Sequence, residues 1–491
     1  MNKKRAITLI ALIAVLAVAA TVLAACDVYT WNSIGMGDSS ANVVSNGGYY
    51  VEQGNYVYFI NGYVGSVTSN EWGSAYKQSI MRAEKNEDGT INNDTAQVVV
   101  PLSIYNEYTG GGFAVYGDWI YYATPNTNED TSGTASTTYT DFMRTRTDGA
   151  ITQRIGTVAS RSSEYLFTPT RILYMTDDST VNYFDFSKMS TDKSIDDGAG
   201  ATGGVLIENA SSVVWGYDAD RSPSDSGTVS EYIFYTETLT GDDSYRHYNN
   251  LCAIKYDGTD KRVLATYDSW FEEGDTIANN YDKVFTYTLL DLYYESDTAV
   301  TLYYSKSIYE NNAASAIGLY SVTFDLSTEF SVRNEVKLAE SAPSTFFPLG
   351  ADNGILATKD SNVYLVTADS VGYTSDNLVI GADRGAVVQA VIGDYVYYTD
   401  DDGTALYRVN LDKNVGDSIN ESTVVGSGVK SDWLELEFVG TRFVWFNTDD
   451  YSYVYVKDLT NADDEGTMIG KMTQEDADAK AEAEKEEDSA E

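Results

Sequence analysis

Apolar and polar positions alternate along this chain in short runs, and one run recurs. It begins at a turn residue, passes through four or five β-branched and aromatic residues, and ends in polar turn residues. The clearest copies are Gly54-Asn55-Tyr56-Val57-Tyr58-Phe59, Gly117-Asp118-Trp119-Ile120-Tyr121-Tyr122 and Gly393-Asp394-Tyr395-Val396-Tyr397-Tyr398. Looser copies surround Tyr174, Phe234, Tyr303, Leu356 and Trp445. Such runs of branched and aromatic residues predict buried β-strands. Aligned on Tyr58, Tyr121, Tyr174, Phe234, Tyr303, Leu356, Tyr397 and Trp445, the eight units follow one another at steps of 41 to 69 residues. Other short apolar runs fill in each unit. Examples precede the copy at 113–116 and 387–392, follow it at 80–83, 363–366 and 406–411, and close it at 97–100, 262–264 and 423–425. The steps Asp88-Gly89, Asp148-Gly149, Asp257-Gly258 and Asp402-Gly403 read as hairpin punctuation between them. No segment between Asn46 and Gly470 carries a long helical period.

Four strands per unit and eight units predict an all-β chain: a β-propeller of eight four-stranded blades, with a seven-bladed ring or two smaller rings as alternatives. A sandwich closes within about 100 residues and gives no reason for eight recurrences. A blade must bury both faces against its neighbours. That explains the Tyr-Tyr doublets, since a period of two sends Tyr397 to one face and Tyr398 to the other. The resulting plan is a leader over 1–25, a flexible tether over 26–46, a propeller over 47–473 and a solvated tail over 474–491. The tail holds nine acidic and two basic residues and no apolar face to bury.

The segment Tyr397-Tyr398-Thr399-Asp400, followed by Leu406-Tyr407-Arg408-Val409-Asn410-Leu411-Asp412, resembles one blade of the YWTD propellers of low-density-lipoprotein receptors. It is more similar still to the YWTD-like propeller domain of Gram-positive lipoproteins. Leu173-Tyr174-Met175-Thr176-Asp177 is a looser match. The likeness covers about two blades and departs from the receptor pattern in having Tyr for Trp and more than six units. It implies a propeller that binds proteins, with no catalytic residues to carry over.

The N-terminus reads as an address. Lys3, Lys4 and Arg5 precede an apolar run from Ala6 to Ala25, which ends in Leu23-Ala24-Ala25-Cys26. This resembles the lipobox of bacterial lipoproteins. The resemblance implies a signal peptide cut before Cys26, lipid on the Cys26 thiol, and a body anchored at the extracytoplasmic face of the cell membrane. An uncleaved apolar span is the alternative.

Composition narrows the function. Seventy-four acidic against 32 basic residues give a net charge of −42, and loss of the leader takes it to −45. Nucleic acid is excluded as a partner, because phosphates need Lys and Arg. A single histidine, His247, excludes multi-His metal sites and most His-based catalysis. With Cys26 lipidated, Cys252 is left alone in an apolar run and reads as a buried structural thiol. Gly198-Ala199-Gly200-Ala201-Thr202-Gly203 matches a dinucleotide fingerprint only in its glycines. Two aspartates precede it and a strand follows, so it reads as a flexible loop. Asp400-Asp401-Asp402-Gly403 and the run Glu84 to Gly89 gather oxygen ligands, but neither completes a calcium loop. No cofactor and no metal site is expected.

Long connections at 62–77, 125–139, 187–204, 218–230 and 267–282 carry aromatics among polar residues, and of these Trp72 and Trp270 are the candidate ligand-binding residues. The expected function is a non-enzymatic protein-binding or scaffold propeller with an extracytoplasmic protein partner. The alternative is a glycan-binding or glycan-hydrolysing propeller.

Overall fold

The computed structural model describes residues 34–41, 43–44, 48–61, 79–102, 104, 112–125, 140–159, 164–175, 179–215, 229–240, 247–268, 284–310, 313–325, 330–400, 402–411, 421–429, 436–446, 454–461 and 464–470. Every recurring run is the second of the four antiparallel strands of a blade. Tyr58 lies in Tyr56–Ile60, Tyr121 in Trp119–Pro125, Tyr174 in Arg171–Met175 and Phe234 in Tyr232–Thr240. Tyr303 lies in Ala299–Glu310, Leu356 in Gly354–Lys359, Tyr397 in Tyr395–Thr399 and Trp445 in Arg442–Phe446. Eight such sheets, each of sequence-consecutive strands paired in order, form an eight-bladed β-propeller. The blades span residues 50–100, 113–158, 164–207, 210–268, 284–339, 345–380, 387–425 and 437–469 and are numbered in that order. Within a blade the strands are called a to d from the axis outward.

Local chemistry sets the a–b turns. In blades 1, 2, 7 and 8, Gly54, Gly117, Gly393 and Gly440 take φ of 54° to 57°, a region that a hairpin's first turn position can demand and that only glycine enters cheaply. The pairings Gln53↔Tyr56, Tyr116↔Trp119, Ile392↔Tyr395 and Val439↔Arg442 close around them.

The apolar core lies between blades rather than within any one of them. Tyr398 packs with Leu356 and Val363 of blade 6, whereas Tyr397 packs with Phe443 and Trp445 of blade 8. Tyr303 and Tyr304 divide in the same way between blades 6 and 4, and Tyr121 and Tyr122 between blades 3 and 1. Tyrosine suits this wide interior because its hydroxyl reaches a polar group beyond the apolar layer. The Tyr116 hydroxyl donates to the Phe167 carbonyl of the next blade at 2.8 Å, and Tyr122 pairs with Thr145 at 2.9 Å.

Candidate functional site: the two faces of the ring

In a propeller the innermost strands run the same way along the axis, so all a–b and c–d turns share one face. The b–c connections and the blade-to-blade connections share the other. Residues 34–41 and 43–44 belong to the first face. Ile34 is buried, the Gly35 carbonyl accepts from Arg82 Nη1 at 2.8 Å, and the Gly37 N–H donates to Thr147 Oγ1 at 3.1 Å. Arg82 Nη1 also holds the Thr147 carbonyl at 2.8 Å, which ties the segment to the c–d turn of blade 2. Val43–Val44 then pairs with Tyr50–Gln53, the a strand of blade 1, and makes that sheet five-stranded. Within the stretch expected as free tether, residues 34–41 and 43–44 are therefore bound to the ring. Burial of Ile34 and the Arg82 hydrogen bonds offset part of the cost of ordering it.

Trp72 and Trp270 lie outside the described residues, as does Cys26. The strands on either side of the two tryptophans are described. Trp72 falls in the b–c connection of blade 1, between Tyr56–Ile60 and Ile80–Lys85. Trp270 falls in the connection from Arg262–Asp268 of blade 4 to Val284–Ser296 of blade 5. Both connections join strand ends on the face opposite the docked N-terminal segment. Of the remaining long connections, 126–139 joins strands on that same face, while 186–201 belongs to the face of the turns and 218–230 joins the a and b strands of blade 4 on that face too.

The 186–201 segment, which includes the start of the glycine-rich run, is no free loop. Arg154 N donates to the Ile195 carbonyl at 2.7 Å, and Gln153 Nε2 donates to the carbonyls of Ser190 and Lys193. Met189 and Ile195 are buried against blade 2. The segment thus straps blade 3 to blade 2. The acidic turns are occupied by their own chain. Asp88 accepts from the Thr90 N–H and hydroxyl, and Asp400 from the Thr404 N–H at 3.1 Å.

Two buried polar groups, Arg144 and Glu237, and the half-buried Asp291 were not singled out by sequence reasoning. Arg144, 4% exposed, lies 4.3 Å from the Trp119 ring centroid and 5.2 Å from that of Phe186, and its Nε donates to Gln153 Oε1 at 2.7 Å. Asp291 sits in the a strand of blade 5, where its carboxylate accepts the Leu292 N–H at 2.8 Å and burial pushes its pKa up to about 6. Glu237 is buried in blade 4 beside Cys252, whose Sγ lies 3.4 Å from its Oε1. Burial, then the Glu237 carboxylate, pushes the Cys252 thiol up to about 12, so it stays a protonated core residue. A signal existed for Asp291, a single acid within Leu289-Leu290-Asp291-Leu292-Tyr293. His247 begins the c strand of blade 4, and its side chain lies outside the described residues.

No family model and no curated protein matches the chain. Solved structures similar to it include a nidogen/laminin complex (11% identity over 71% of this chain and 90% of that one, TM-score 0.27). Apo AztD from Citrobacter koseri is similar at 12% identity over 82% and 94%, with TM-score 0.37. A eukaryotic initiation factor is similar at 10% identity over 91% of each chain, with TM-score 0.38.

Proposed function

We propose that this chain is a lipid-anchored, non-enzymatic β-propeller on the extracytoplasmic face of the cell membrane, and that it binds a protein of the envelope. The observation that carries the reading is the division of the two faces. The described N-terminal segment is fastened to the face of the a–b and c–d turns by Arg82 and Thr147, so an anchor on Cys26 holds that face toward the membrane. The connections bearing Trp72 and Trp270 join strands on the far face, where a partner has access. The acidic body favours a basic partner and a salt-sensitive association rate. A binding role, rather than hydrolysis, is supported by how the described buried carboxylates are used. Glu52 pairs with Arg442 and Lys85, Asp141 with Arg154, and Glu237 with Lys261.

The test is cross-linking of intact cells that produce a tagged full-length copy. The expected product is one extracytoplasmic protein that is lost with Cys26→Ala and reduced by Trp72→Ala or Trp270→Ala. A preparation without a protein partner, together with sugar binding that the same tryptophan variants abolish, would establish the glycan alternative instead.

A further inference from the structure

A cavity of about 540 Å³ opens between blades 3 and 4. Its walls differ in chemistry. Val205 and Leu206 of the blade 3 d strand and Ile254 of blade 4 supply aliphatic surface. Tyr235 supplies a ring, and Glu237 a carboxylate in a residue only 8% exposed. The carboxylate is held from behind by Asn250 Nδ2 and Cys252 Sγ, each 3.4 Å from Oε1. Lys261 already demonstrates what the wall recognises. Its Nζ is 3.1 Å from Glu237 Oε2 and 5.7 Å from the Tyr235 ring centroid, while its side chain remains 52% exposed.

A carboxylate beside an aromatic face is the standard receptor for an ammonium group, and the aliphatic walls match a hydrocarbon body. A carboxylate has more acceptor positions than one lysine fills. Glu208 adds a second acid to the lining and Lys261 is the one cation there, so an anionic ligand is disfavoured. We infer that this cleft is a binding site for an aliphatic ammonium group, presented either by a free alkylamine or by a lysine side chain of another protein. The inference does not depend on the anchored binding role proposed above.

Titrating the full chain with cadaverine and with N-acetyl-lysine methylamide, followed by calorimetry or ligand-observed NMR, tests it. n-Butanol and butanoate serve as the neutral and anionic controls. Both amines are expected to bind saturably, and whichever binds more tightly identifies the free or the protein-borne source. Glu237→Gln should weaken binding about 10-fold or more through loss of a charge-assisted contact. Lys261→Met, which removes the internal competitor, should strengthen it several-fold. Val205→Trp, at a position 48% exposed where folding tolerates a larger side chain, should block the cleft. The inference falls if neither amine saturates, if butanol or butanoate binds as tightly, or if Glu237→Gln and Val205→Trp both bind like the parent.

Discussion

Asp291 is a half-buried acid and Glu52 a buried one, and their surroundings drive them in opposite directions. Asp291 has one N–H donor and an otherwise apolar strand around it, so burial dominates and lifts its pKa from the ordinary 3.8 to about 6. Burial also acts to raise Glu52. Arg442 Nε at 2.6 Å, the Tyr50 hydroxyl at 2.8 Å and Lys85 Nζ at 3.0 Å outweigh it and hold the carboxyl below its usual 4.5. The linkage signs follow. A folded-state pKa raised above the unfolded one makes Asp291 cost stability as pH rises through about 6, and that stability is fully recovered below about 4. A lowered one makes Glu52 contribute stability above the carboxylate range, and the contribution is lost as pH falls through its folded pKa. Replacing Asp291 by Asn should raise stability above about pH 7 by about 1–2 kcal/mol and flatten the rise between neutral and mildly acidic pH. Denaturant melts at a series of pH values would show it; a variant whose profile parallels the parent's would mean that the carboxyl is solvated. Glu52→Gln should instead lose stability above the acid range, by about 2–3 kcal/mol, because Arg442 is left in a half-buried site without its counter-charge.

At the level of strands, the b strands were legible because both their faces are packed. Apolar and aromatic residues then fill almost every position, as in Tyr395–Thr399, and the turn glycine ahead of them marks the start. The outer strands were harder to read. Thr202–Ile207 faces solvent over much of its length and includes two glycines, so its pattern resembles a loop. An inner strand was also hard to read, since the 13-residue Val284–Ser296, strand a of blade 5, contains two register shifts, which break the period of two. That Trp72 and Trp270 lie in connections could be read from composition alone. That the two connections share a face could not, because strand direction acquires a common sense only when the ring is closed. Two glycines of similar φ separate backbone cost from contact cost. Gly354 has φ +78° and a Cβ there would overlap the Val366 carbonyl oxygen, whereas Gly393 has φ +57° with open space around it. Gly393→Ala should cost about 1 kcal/mol through φ alone, and Gly354→Ala about 3 kcal/mol or more, since strands b and c of blade 6 must part. Equal losses in the two melts would show that the blade 6 hairpin yields freely.

On the scale of the ring, the seam between blades 8 and 1 differs from every other junction because it joins the two ends of the sequence. Among the described residues no strand crosses it: blade 8 is built wholly from residues 437–469 and blade 1 takes its extra strand from its own N-terminal side. Closure rests on shared apolar packing and on side chains. Val439, Val444 and Ile469 join the blade 1 core. Glu437 Oε2 accepts the Tyr49 N–H at 2.9 Å, and the Tyr49 hydroxyl donates to the Val444 carbonyl at 3.2 Å. Asn93 clasps the last described residue from both sides, accepting the Gly470 N–H at 2.9 Å and donating to its carbonyl at 3.3 Å. Arg442 reaches the Gly89 carbonyl at 3.0 Å as well as Glu52. Elsewhere consecutive blades are tied covalently, so opening one junction leaves the partner blades close and quick to return. At the seam no chain connection between neighbouring blades opposes separation, and the loop that must be re-closed is the whole ring, a cost that grows with its length. The seam should therefore be the first cooperative unit to open. Asn93→Ala removes both hydrogen bonds to Gly470 at once and should lower the local opening free energy of Thr467–Ile469 and its neighbour Val454–Asp458 by about 1–2 kcal/mol. Native-state hydrogen exchange resolves the outcome. Faster exchange confined to blade 8 and the facing edge of blade 1, with blades 3 to 5 unchanged, is the expected result. Uniform acceleration around the ring would mean that the eight blades open as one unit and that the seam is no weaker than the covalent junctions.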